Sequence, residues 1–270
     1  MHILILSVEK QFEIQRIIEE AEKRGHSTVF MLLKKNLKID YSKFDALLLR
    51  AIEGEIHVAQ KIALSFFKRN KIVVDEKIAK KKNRTKLGNY ILFKKAGLYV
   101  PETISFTKKN LEKILSFPSD EIVLKPMKGK RGKGIVKFSK KLLVKNAPKF
   151  FGKDFIAQEF ADIKREYRVY VCGTKTFNGA EKVSASWIHN MSQGAKPRKI
   201  KLSSKVKKLA LKASKAVQTE IAGVDIGVTS KGLFVIEVNR SPGFRFFESL
   251  GYNFAEKIVK YLEEKKSNSK

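Results

Sequence analysis

The sequence contains a single cysteine, Cys172, and no apolar run that approaches the roughly 20 residues needed to cross a bilayer. One cysteine excludes a disulfide framework and a cysteine metal cluster, and it fits a reducing cytosol. We expect Cys172 to fill a position in a strand. The first residues, MHILILSVEK, lack the basic segment and the cleavage site of a signal peptide. They predict a first β-strand in a cytoplasmic protein with no membrane partner.

Acidic residues are also scarce, with 27 Asp and Glu against 57 Lys and Arg, a net charge of +30. Two stretches have no acidic residue: 122–153, with eleven basic residues, and 182–219, with ten. Such a field attracts nucleic acid, phosphates or acidic protein surfaces, although many of these lysines are typical of a solvated surface. No helix-turn-helix, zinc-finger spacing or aromatic RNA-binding signature accompanies the charge. Specific nucleic-acid binding is therefore not predicted.

The N-terminal third alternates predicted strands and helices. At 43% hydrophobic residues the chain can bury a sizeable core, in two or three subdomains. The predicted strands are Ile3–Leu6, Thr28–Leu33, Ala46–Leu49 and Ile72–Val74, with one helix that ends at Gly25 and another over about residues 55–68. This order predicts a small parallel sheet. No glycine-rich turn follows the first strand, which excludes a dinucleotide-binding fingerprint there.

The stretch AGVDIGVTSKGLFVIEVNRSPG, residues 222–243, carries three carboxylate or carboxamide side chains, those of Asp225, Glu237 and Asn239. Glu237 and Asn239 lie two residues apart, so in a strand they point to the same face. If Gly232 turns the chain in a hairpin, Asp225 lies opposite them. Such a set suits Mg²⁺, which takes a few carboxylates together with substrate phosphates. The alternative is a strand edge with solvated polar residues.

A glycine-rich basic loop lies between two predicted strands in the middle of the chain. The first strand, Ile122–Leu124, ends in Lys125-Pro126, and the second is Ile135–Phe138. Between them, residues 128–134 supply three glycines and four basic side chains. Backbone N–H groups of such a loop can approach phosphate oxygens. It is not a Walker loop, because the GK[ST] ending and the following helix are missing. The alternative is a flexible loop without a ligand.

Further along, Phe155–Phe160 reads as a buried strand with a polar end, and Arg165-Glu166-Tyr167-Arg168 leads into the strand Val169–Val171. The two arginines around a carboxylate indicate either a clamp for an anionic substrate or a surface ion-pair ladder. The pattern alone does not decide between them.

Taken in order, these motifs resemble the ATP-grasp superfamily, and within it the RimK-like α-L-glutamate ligases and their archaeal amino-acid ligase relatives. The resemblance covers about Thr85 to Tyr261. The matching motifs are Lys125-Pro126, the glycine-rich hairpin, Gln158-Glu159-Phe160, Glu166 with Arg168, Trp187-Ile188-His189-Asn190 with Gly194, Asp225, and Glu237-Val238-Asn239 followed by Ser241-Pro242-Gly243.

The resemblance implies a mixed α/β (α+β) ATP-grasp fold, with a Rossmann-like N-terminal domain and two α+β subdomains that clasp ATP. The expected boundaries are 1–82 for the N-terminal domain, 83–154 for the central subdomain with the hairpin, and 155–265 for the C-terminal subdomain with the metal site. Residues 266–270 are expected to form a frayed tail, and the lysine run 77–86 a linker.

The resemblance also implies a role for each nucleotide-binding position. Lys125 would contact the ATP phosphates and the adenine, with Lys86 as a second phosphate-side lysine. Glu166 would hold the ribose. The hinge that reads the adenine edge through backbone hydrogen bonds would be Gln158, Glu159 and Phe160. The hairpin that closes over the phosphates would be Lys128, Gly129, Lys130, Arg131, Gly132, Lys133 and Gly134.

The resemblance also implies which residues surround the reacting groups. Asp225, Glu237 and Asn239 would hold one or two Mg²⁺ or Mn²⁺ ions that bridge the β- and γ-phosphates. Arg168, Lys182 and Asn190 would lie near an acyl phosphate, with His189 and Asn190 also in contact with the nucleotide or substrate.

Five positions depart from the family pattern. They are Lys130 in place of serine, Glu166 in place of aspartate, Lys182 in place of arginine, Ile188 in place of a basic residue, and Phe246 in place of glycine. A lysine offers a point charge where an arginine offers a two-pronged contact. These changes leave the ATP and metal residues intact and bear on the acceptor.

The implied activity is an ATP-dependent carboxylate–amine ligase that adds an amino acid, glutamate by resemblance, to an acidic small molecule or protein acceptor. One alternative is a ligase that acts on an acidic carrier protein, and another is a nucleic-acid-binding protein without catalysis. A kinase-like phosphotransferase is disfavoured because an Asp-Phe-Gly-type motif is missing. The sequence leaves open whether the protein is a homo-oligomer.

Overall fold

The N-terminal residues form a parallel four-stranded sheet of order β2-β1-β3-β4 in the computed structural model, which describes residues 1–77, 85–129, 132–184, 186–187 and 194–268. Its strands are β1 (His2–Ser7), β2 (Ser27–Leu32), β3 (Ala46–Leu49) and β4 (Ile72–Val73). Helices α1 (Phe12–Lys23) and α2 (Ile56–Phe67) connect them. The predicted parallel sheet is confirmed.

The two faces of this first sheet are covered by different parts of the chain. Leu4 and Leu6 of β1 pack with α2. Ile3 and Ile5, on the opposite face, pack with α1 and with Ile258 of the last helix, α8 (Phe254–Ser267). The alternation of apolar residues along β1 therefore ties the beginning of the chain to its far end.

The second sheet is antiparallel, of order β5-β8-β6-β7. Its strands are β5 (Thr103–Ser105), β6 (Glu121–Pro126), β7 (Val136–Ser139) and β8 (Phe155–Glu159), with helices α3 (Lys86–Lys95), α4 (Leu111–Leu115) and α5 (Lys140–Asn146). Thr85 caps α3, since its hydroxyl accepts a 3.0 Å hydrogen bond from the Gly88 amide. Short 3-10 turns lie at Tyr41–Lys43, Lys108–Asn110 and Ala147–Lys149.

The third sheet has five antiparallel strands in the order β11-β10-β9-β12-β13. They are β9 (Arg165–Cys172), β10 (Lys175–Val183), β11 (Lys196–Lys199), β12 (Ile221–Thr229) and β13 (Gly232–Asn239). Helix α6 (Ser204–Ala216) covers one face, and the short α7 (Arg245–Glu248) and α8 pack on part of the other. Cys172 is buried at the end of β9, as expected.

The sheet pairings bear on the expected domain boundaries. β8 pairs with both β5 and β6, so residues 155–159 extend the second sheet rather than opening the third. Helix α3 packs its Tyr90 and Phe93 into the core beneath the third sheet. Helix α8 continues to Ser267, two residues into the segment expected to be a tail. The predicted linker lies almost wholly outside the described residues. In the part of the chain that is described, no helix has the length and apolar content to cross a membrane.

Gly179 gives a test of how closely β10 approaches β9. A Cβ at this position would overlap the carbonyl oxygen of Arg168 and lie 2.9 Å from Leu202 Cδ1. We expect Gly179→Ala to lower the free energy of unfolding by about 1–3 kcal/mol in urea denaturation, as overpacking does. Gly88→Ala is the matched control, because the added methyl meets only an ordinary 3.4 Å contact inside a helix. Equal stability of the two variants would contradict this close approach.

Candidate active site

One face of the third sheet carries charged side chains along half of its length. On β9, Tyr167, Val169 and Val171 point towards α6, and Glu166, Arg168 and Tyr170 point to the other face. There Tyr170 is covered by α8 and by the loop after β13. Among the described residues, the charged half of the face has no such apolar cover. The two-residue alternation along β9 therefore builds a hydrophobic core on one side of the sheet and a charged face on the other.

A bulge in β13 places the metal candidates on this charged face. Asp225 pairs with Glu237 and Gly223 with Asn239, but Ile226 pairs with Val235. The extra residue, Ile236, shifts the alternation, so Val235 enters the core against α6 while Glu237 joins Asp225 on the opposite face. The predicted hairpin and the facing of Asp225 with Glu237 are confirmed.

Asp225 is the centre of a buried ion network. Arg168 binds it with two prongs, Nε to Oδ1 and Nη2 to Oδ2, the second at 2.7 Å. Lys182 Nζ lies 2.9 Å from Asp225 Oδ1 and 2.5 Å from Glu166 Oε1. The side chains of Asp225, Lys182 and Glu166 are only 2%, 6% and 8% exposed. Four charges in this setting are tolerated because each has an opposite partner.

The pKa shifts in this network follow from burial and charge. Burial raises the pKa of Glu166, against the opposing effect of the Lys182 charge. Burial also acts to raise the pKa of Asp225, but the charges of Arg168 and Lys182 outweigh it and hold that pKa below its usual value. Asp225 therefore remains an anion within the network.

Glu237 and Asn239 form the outer edge of the same face. Asn239 Nδ2 donates to Glu237 Oε1 at 2.8 Å and lies 3.4 Å from Asp225 Oδ2. Within the described ranges no cluster of three or more His, Cys, Asp or Glu side chains is placed to hold a metal ion alone. Two carboxylates completed by an amide and by substrate phosphates are still the ligand set that Mg²⁺ prefers, so this donor set fits the ion. Asp225 would have to loosen a contact with Arg168 or Lys182 to contribute.

Two lysines, Lys125 in β6 and Lys86 at the start of α3, lie near this edge. Lys125 Nζ donates to Gln158 Oε1 at 2.6 Å, and Lys86 Nζ donates to the Pro126 carbonyl at 2.9 Å. Burial lowers the pKa of both ammonium groups, and the negative charge of Glu237 opposes that shift in both. The two lysines and Glu237 therefore lie close enough for their charges to interact.

The hairpin loop lies beside Lys86. A Cβ on Gly129 would be 3.6 Å from Lys86 Nζ, and Gly132 and Gly134 adopt φ values of 70° and 74°, where a side chain would be strained. Lys128 and Lys133 belong to the same loop. Lys130 and Arg131, like His189 and Asn190, lie outside the described residues, so their predicted roles stay predictions.

Two backbone amides of the predicted hinge already donate hydrogen bonds within the protein. The Glu159 amide donates to Glu102 O at 2.8 Å and the Phe160 amide to Glu121 O at 3.0 Å. Both donors are thus engaged within the protein. The Phe160 ring lies 6.0 Å from the Trp187 ring at a steep angle. A cavity of about 330 Å³ adjoins them, lined by Phe160, Asp162, Ile163, Lys164, Ser184, Ser186 and Trp187.

Arg165 and Arg168 lie on opposite faces of the third sheet. The two alternatives given for them, a surface ion-pair ladder and a clamp for an anionic substrate, therefore apply to different residues. Arg165 forms a two-pronged pair with Glu181 at 2.9 and 2.7 Å, and Arg198 joins the same carboxylate at 2.7 Å. This is an ion-pair ladder on the face opposite the charged network. Arg168 alone belongs to the candidate site.

Residues of the N-terminal domain that hold the loop after β13 were not predicted. Arg50 Nη2 donates to Pro242 O at 2.9 Å, and Glu13 Oε1 accepts from the Phe244 amide at 3.0 Å. From the third sheet, Tyr170 donates to Gly243 O at 2.8 Å. The available signal was the position of Arg50 directly after a buried strand of a parallel sheet, where ligand sites concentrate.

Three sheets of this kind, with facing lysines and carboxylates, define a nucleotide-dependent ligase fold. The model of the RimK-like ATP-grasp domain matches residues 68–262. The chain therefore belongs to the RimK-like ATP-grasp family, and the protein is an ATP-grasp ligase, as the sequence motifs indicated.

Individual relatives agree with this assignment. A probable alpha-L-glutamate ligase of Trichodesmium erythraeum is 26% identical to this chain in an alignment of 288 positions. The alignment covers 98% of this chain and 96% of that protein. The tetrahydromethanopterin:alpha-L-glutamate ligase of Methanococcus maripaludis is 32% identical over 178 residues, 61% of each. The structure of the ATP-grasp ligase PsnB with minimal precursor, Mg and ADP superposes with a TM-score of 0.77 at 19% identity, over 97% of both chains. The ATP-grasp fold is thus confirmed.

Asp225 and Glu237 differ in what they contribute to stability. Asp225→Asn leaves Arg168 and Lys182 buried without their shared anion, so we expect a loss of about 3–5 kcal/mol in the free energy of unfolding. Glu237 is exposed, and Glu237→Gln should stay within about 0.5 kcal/mol of the unmodified protein. Urea denaturation measures both. A Glu237→Gln variant as unstable as Asp225→Asn would disprove the central place of Asp225.

Proposed function

We propose that this protein is an ATP- and Mg²⁺-dependent carboxylate–amine ligase that adds glutamate to an acidic acceptor. The observation that carries the proposal is the placement of Glu237 and Asn239 beside the Arg168–Asp225–Lys182 network and within electrostatic range of Lys86 and Lys125. Lysines of the kind that bind phosphate and carboxylates of the kind that bind Mg²⁺ lie near one another here, which supports the proposal. A related ligase, PsnB, has been solved with Mg and ADP.

The proposed reaction has two steps. A carboxylate of the acceptor attacks the γ-phosphorus of ATP, which forms an acyl phosphate and releases ADP. The amine of glutamate then attacks the acyl carbon, and the C–O bond to phosphate breaks as the amide forms. The amine loses one proton in this step, and inorganic phosphate is the leaving group. Positioning and charge neutralisation supply the catalysis that such a transfer needs.

Residues on different elements would supply different parts of this charge neutralisation and positioning. Lys125, from β6, and Lys86, from the start of α3, would neutralise the phosphates. Arg168 would stabilise charge on the transferring phosphoryl group from the third sheet, with Lys182 beside it. Glu237, Asn239 and Asp225 would hold Mg²⁺, which supplies further neutralisation of the β- and γ-phosphates when bound. Glu166, expected to hold the ribose, would need to exchange its bond with Lys182 for one with the sugar.

Two arguments support glutamate and an acidic acceptor. Relatives of the chain are named as probable alpha-L-glutamate ligases or as a glutamate ligase that acts on tetrahydromethanopterin. The basic stretches 122–153 and 182–219, which contain the hairpin and Lys182, would concentrate an anionic acceptor near the site. Added salt should therefore slow the reaction by raising the KM for the acceptor.

The reaction itself can be tested without knowing the acceptor. The protein is incubated with ATP, Mg²⁺, isotopically labelled glutamate and a cell extract that has been separated into small-molecule and protein fractions. We expect ADP release that needs both glutamate and one fraction, and mass spectrometry should find a labelled glutamate residue in an amide bond in that fraction. Labelling of the protein fraction alone would identify a protein acceptor, including a carrier protein. Salt-sensitive nucleic-acid binding without ATP turnover would disprove the ligase assignment.

The metal role of Glu237 makes a separate prediction. Glu237→Gln keeps the shape of the side chain but removes an anionic ligand, so we expect turnover to fall by about 100-fold or more, partly restored at high Mg²⁺ or Mn²⁺ concentration. Glu181→Gln, which removes a carboxylate from the opposite face of the same sheet, is the control and should retain activity. A rate in Glu237→Gln equal to that of the unmodified protein would show that the metal assignment is wrong.

A further inference from the structure

A second cluster of polar side chains surrounds the loop that follows β13, and several of its buried polar atoms are unpaired within the described chain. Arg50 is only 1% exposed. Its Nε, Arg240 Nη1 and Ser241 Oγ are all buried and have no hydrogen-bond partner within the described chain. Buried donors of this kind are rare, because an unpaired polar group loses its bonds to water.

The neighbouring acids do not satisfy these donors. Asp75 accepts the Glu220 amide, and its Oδ2 is 4.0 Å from Arg240 Nη1, too far for a hydrogen bond. Glu13 is engaged with the Phe244 amide. Burial lowers the pKa of Arg50 to about 10, so its guanidinium is still charged at neutral pH. The cluster thus holds two guanidinium groups and a hydroxyl with unused hydrogen-bonding capacity.

The cluster also has the position of a ligand site. Arg50 directly follows β3 and Asp75 closely follows β4, so both lie at the carboxyl ends of parallel strands, where ligands of α/β sheets bind. Arg240 and Ser241 directly follow Asn239, the outer residue of the candidate metal edge. Pro242 packs close to Gly223, whose Cβ would also meet the Arg168 side chain. The cluster therefore adjoins the reacting centre on its N-terminal side.

We propose that Arg50, Arg240 and Ser241 bind the α-carboxylate of the amino acid whose amine attacks the acyl phosphate. This inference rests on the proposed ligase function. In an α-amino acid the carboxylate and the amine are attached to the same carbon, so the carboxylate must bind next to the reacting centre. Arg240 is one residue beyond Asn239, and neighbouring Cα atoms are about 3.8 Å apart. The planar guanidinium fork matches a carboxylate, and the serine hydroxyl adds a third donor.

A binding measurement tests this without an acceptor. Isothermal titration calorimetry follows L-glutamate, or its α-amide, added to the protein with AMP-PNP and Mg²⁺. We expect the α-amide to bind more weakly than glutamate by about tenfold or more, since it replaces one carboxylate oxygen with an NH2 donor and carries no negative charge to pair with the two guanidinium groups. Arg240→Gln and Ser241→Ala should weaken glutamate binding and reduce this discrimination, while AMP-PNP affinity stays unchanged. Arg245→Gln, which removes a neighbouring exposed cation at the start of α7, is the matched control and should bind glutamate normally.

The outcomes separate the two proposals. Unchanged glutamate affinity in Arg240→Gln and Ser241→Ala, or equal affinity of the unmodified protein for glutamate and its α-amide, would overturn the carboxylate site. An equal loss of AMP-PNP affinity would assign Arg240 to the phosphates instead. Failure of the unmodified protein to bind AMP-PNP with Mg²⁺ would count against the ligase function itself. Arg50→Lys is a second variant that keeps the charge but loses the fork, and its urea midpoint reports whether it folds.

Discussion

The two-pronged pair between Arg168 and Asp225 is the interaction on which the charged face depends. It joins neighbouring strands, β9 and β12, at a point where neither side chain can reach much water. Lys182 approaches the same carboxylate and thereby brings Glu166 into the network. Because a buried charge needs a partner, the position of each residue restricts the others. The network holds its four side chains in a defined geometry beside Glu237 and Asn239 before any ligand arrives.

The alternation of side chains along the strands of the third sheet gives it both apolar packing surfaces and a charged region. Along β9, the face that carries Arg168 continues into Tyr170, which packs against Phe247 and Phe254. The rings fix the sheet against the N-terminal part of the chain, and the charged half extends from this anchored region. The bulge at Ile236 gives β13 the same division, with Val235 in the core and Glu237 outside it. A rigid sheet is well suited to hold phosphate-binding groups, because little reorganisation is needed when charge moves.

Local patterns predicted the strands of the first sheet and the hairpin that places Asp225 opposite Glu237, since each depends on residues near in sequence. The facing of Glu237 with Asp225 was inferred from simple alternation, although the strand reaches it through a bulge that alternation does not reveal. Pairings between distant residues could not be foreseen. The bonds of Glu166 to Lys182 and Arg168 to Asp225, the place of β8 in the second sheet, and the contact of Arg50 with Pro242 all arise from how the sheets assemble. Family resemblance supplied the positions of Glu166, Arg168, Lys182 and Asp225 but not their partners, and it did not point to Arg50.

The packing of α8 against the first sheet affects how the chain can fold while it is being translated. Ile3 and Ile5 on β1 and Ile14 and Ile17 on α1 share a core with α8, whose residues Ile258 and Leu262 are translated more than two hundred positions later. Arg24 and His26 also pair with Glu263 of that helix at 2.7 Å. Residues 3–17 therefore keep part of one apolar face uncovered until residues 258–262 have been made. Contacts of such long sequence separation slow folding and leave this face exposed to aggregation, or in need of a chaperone, in the meantime.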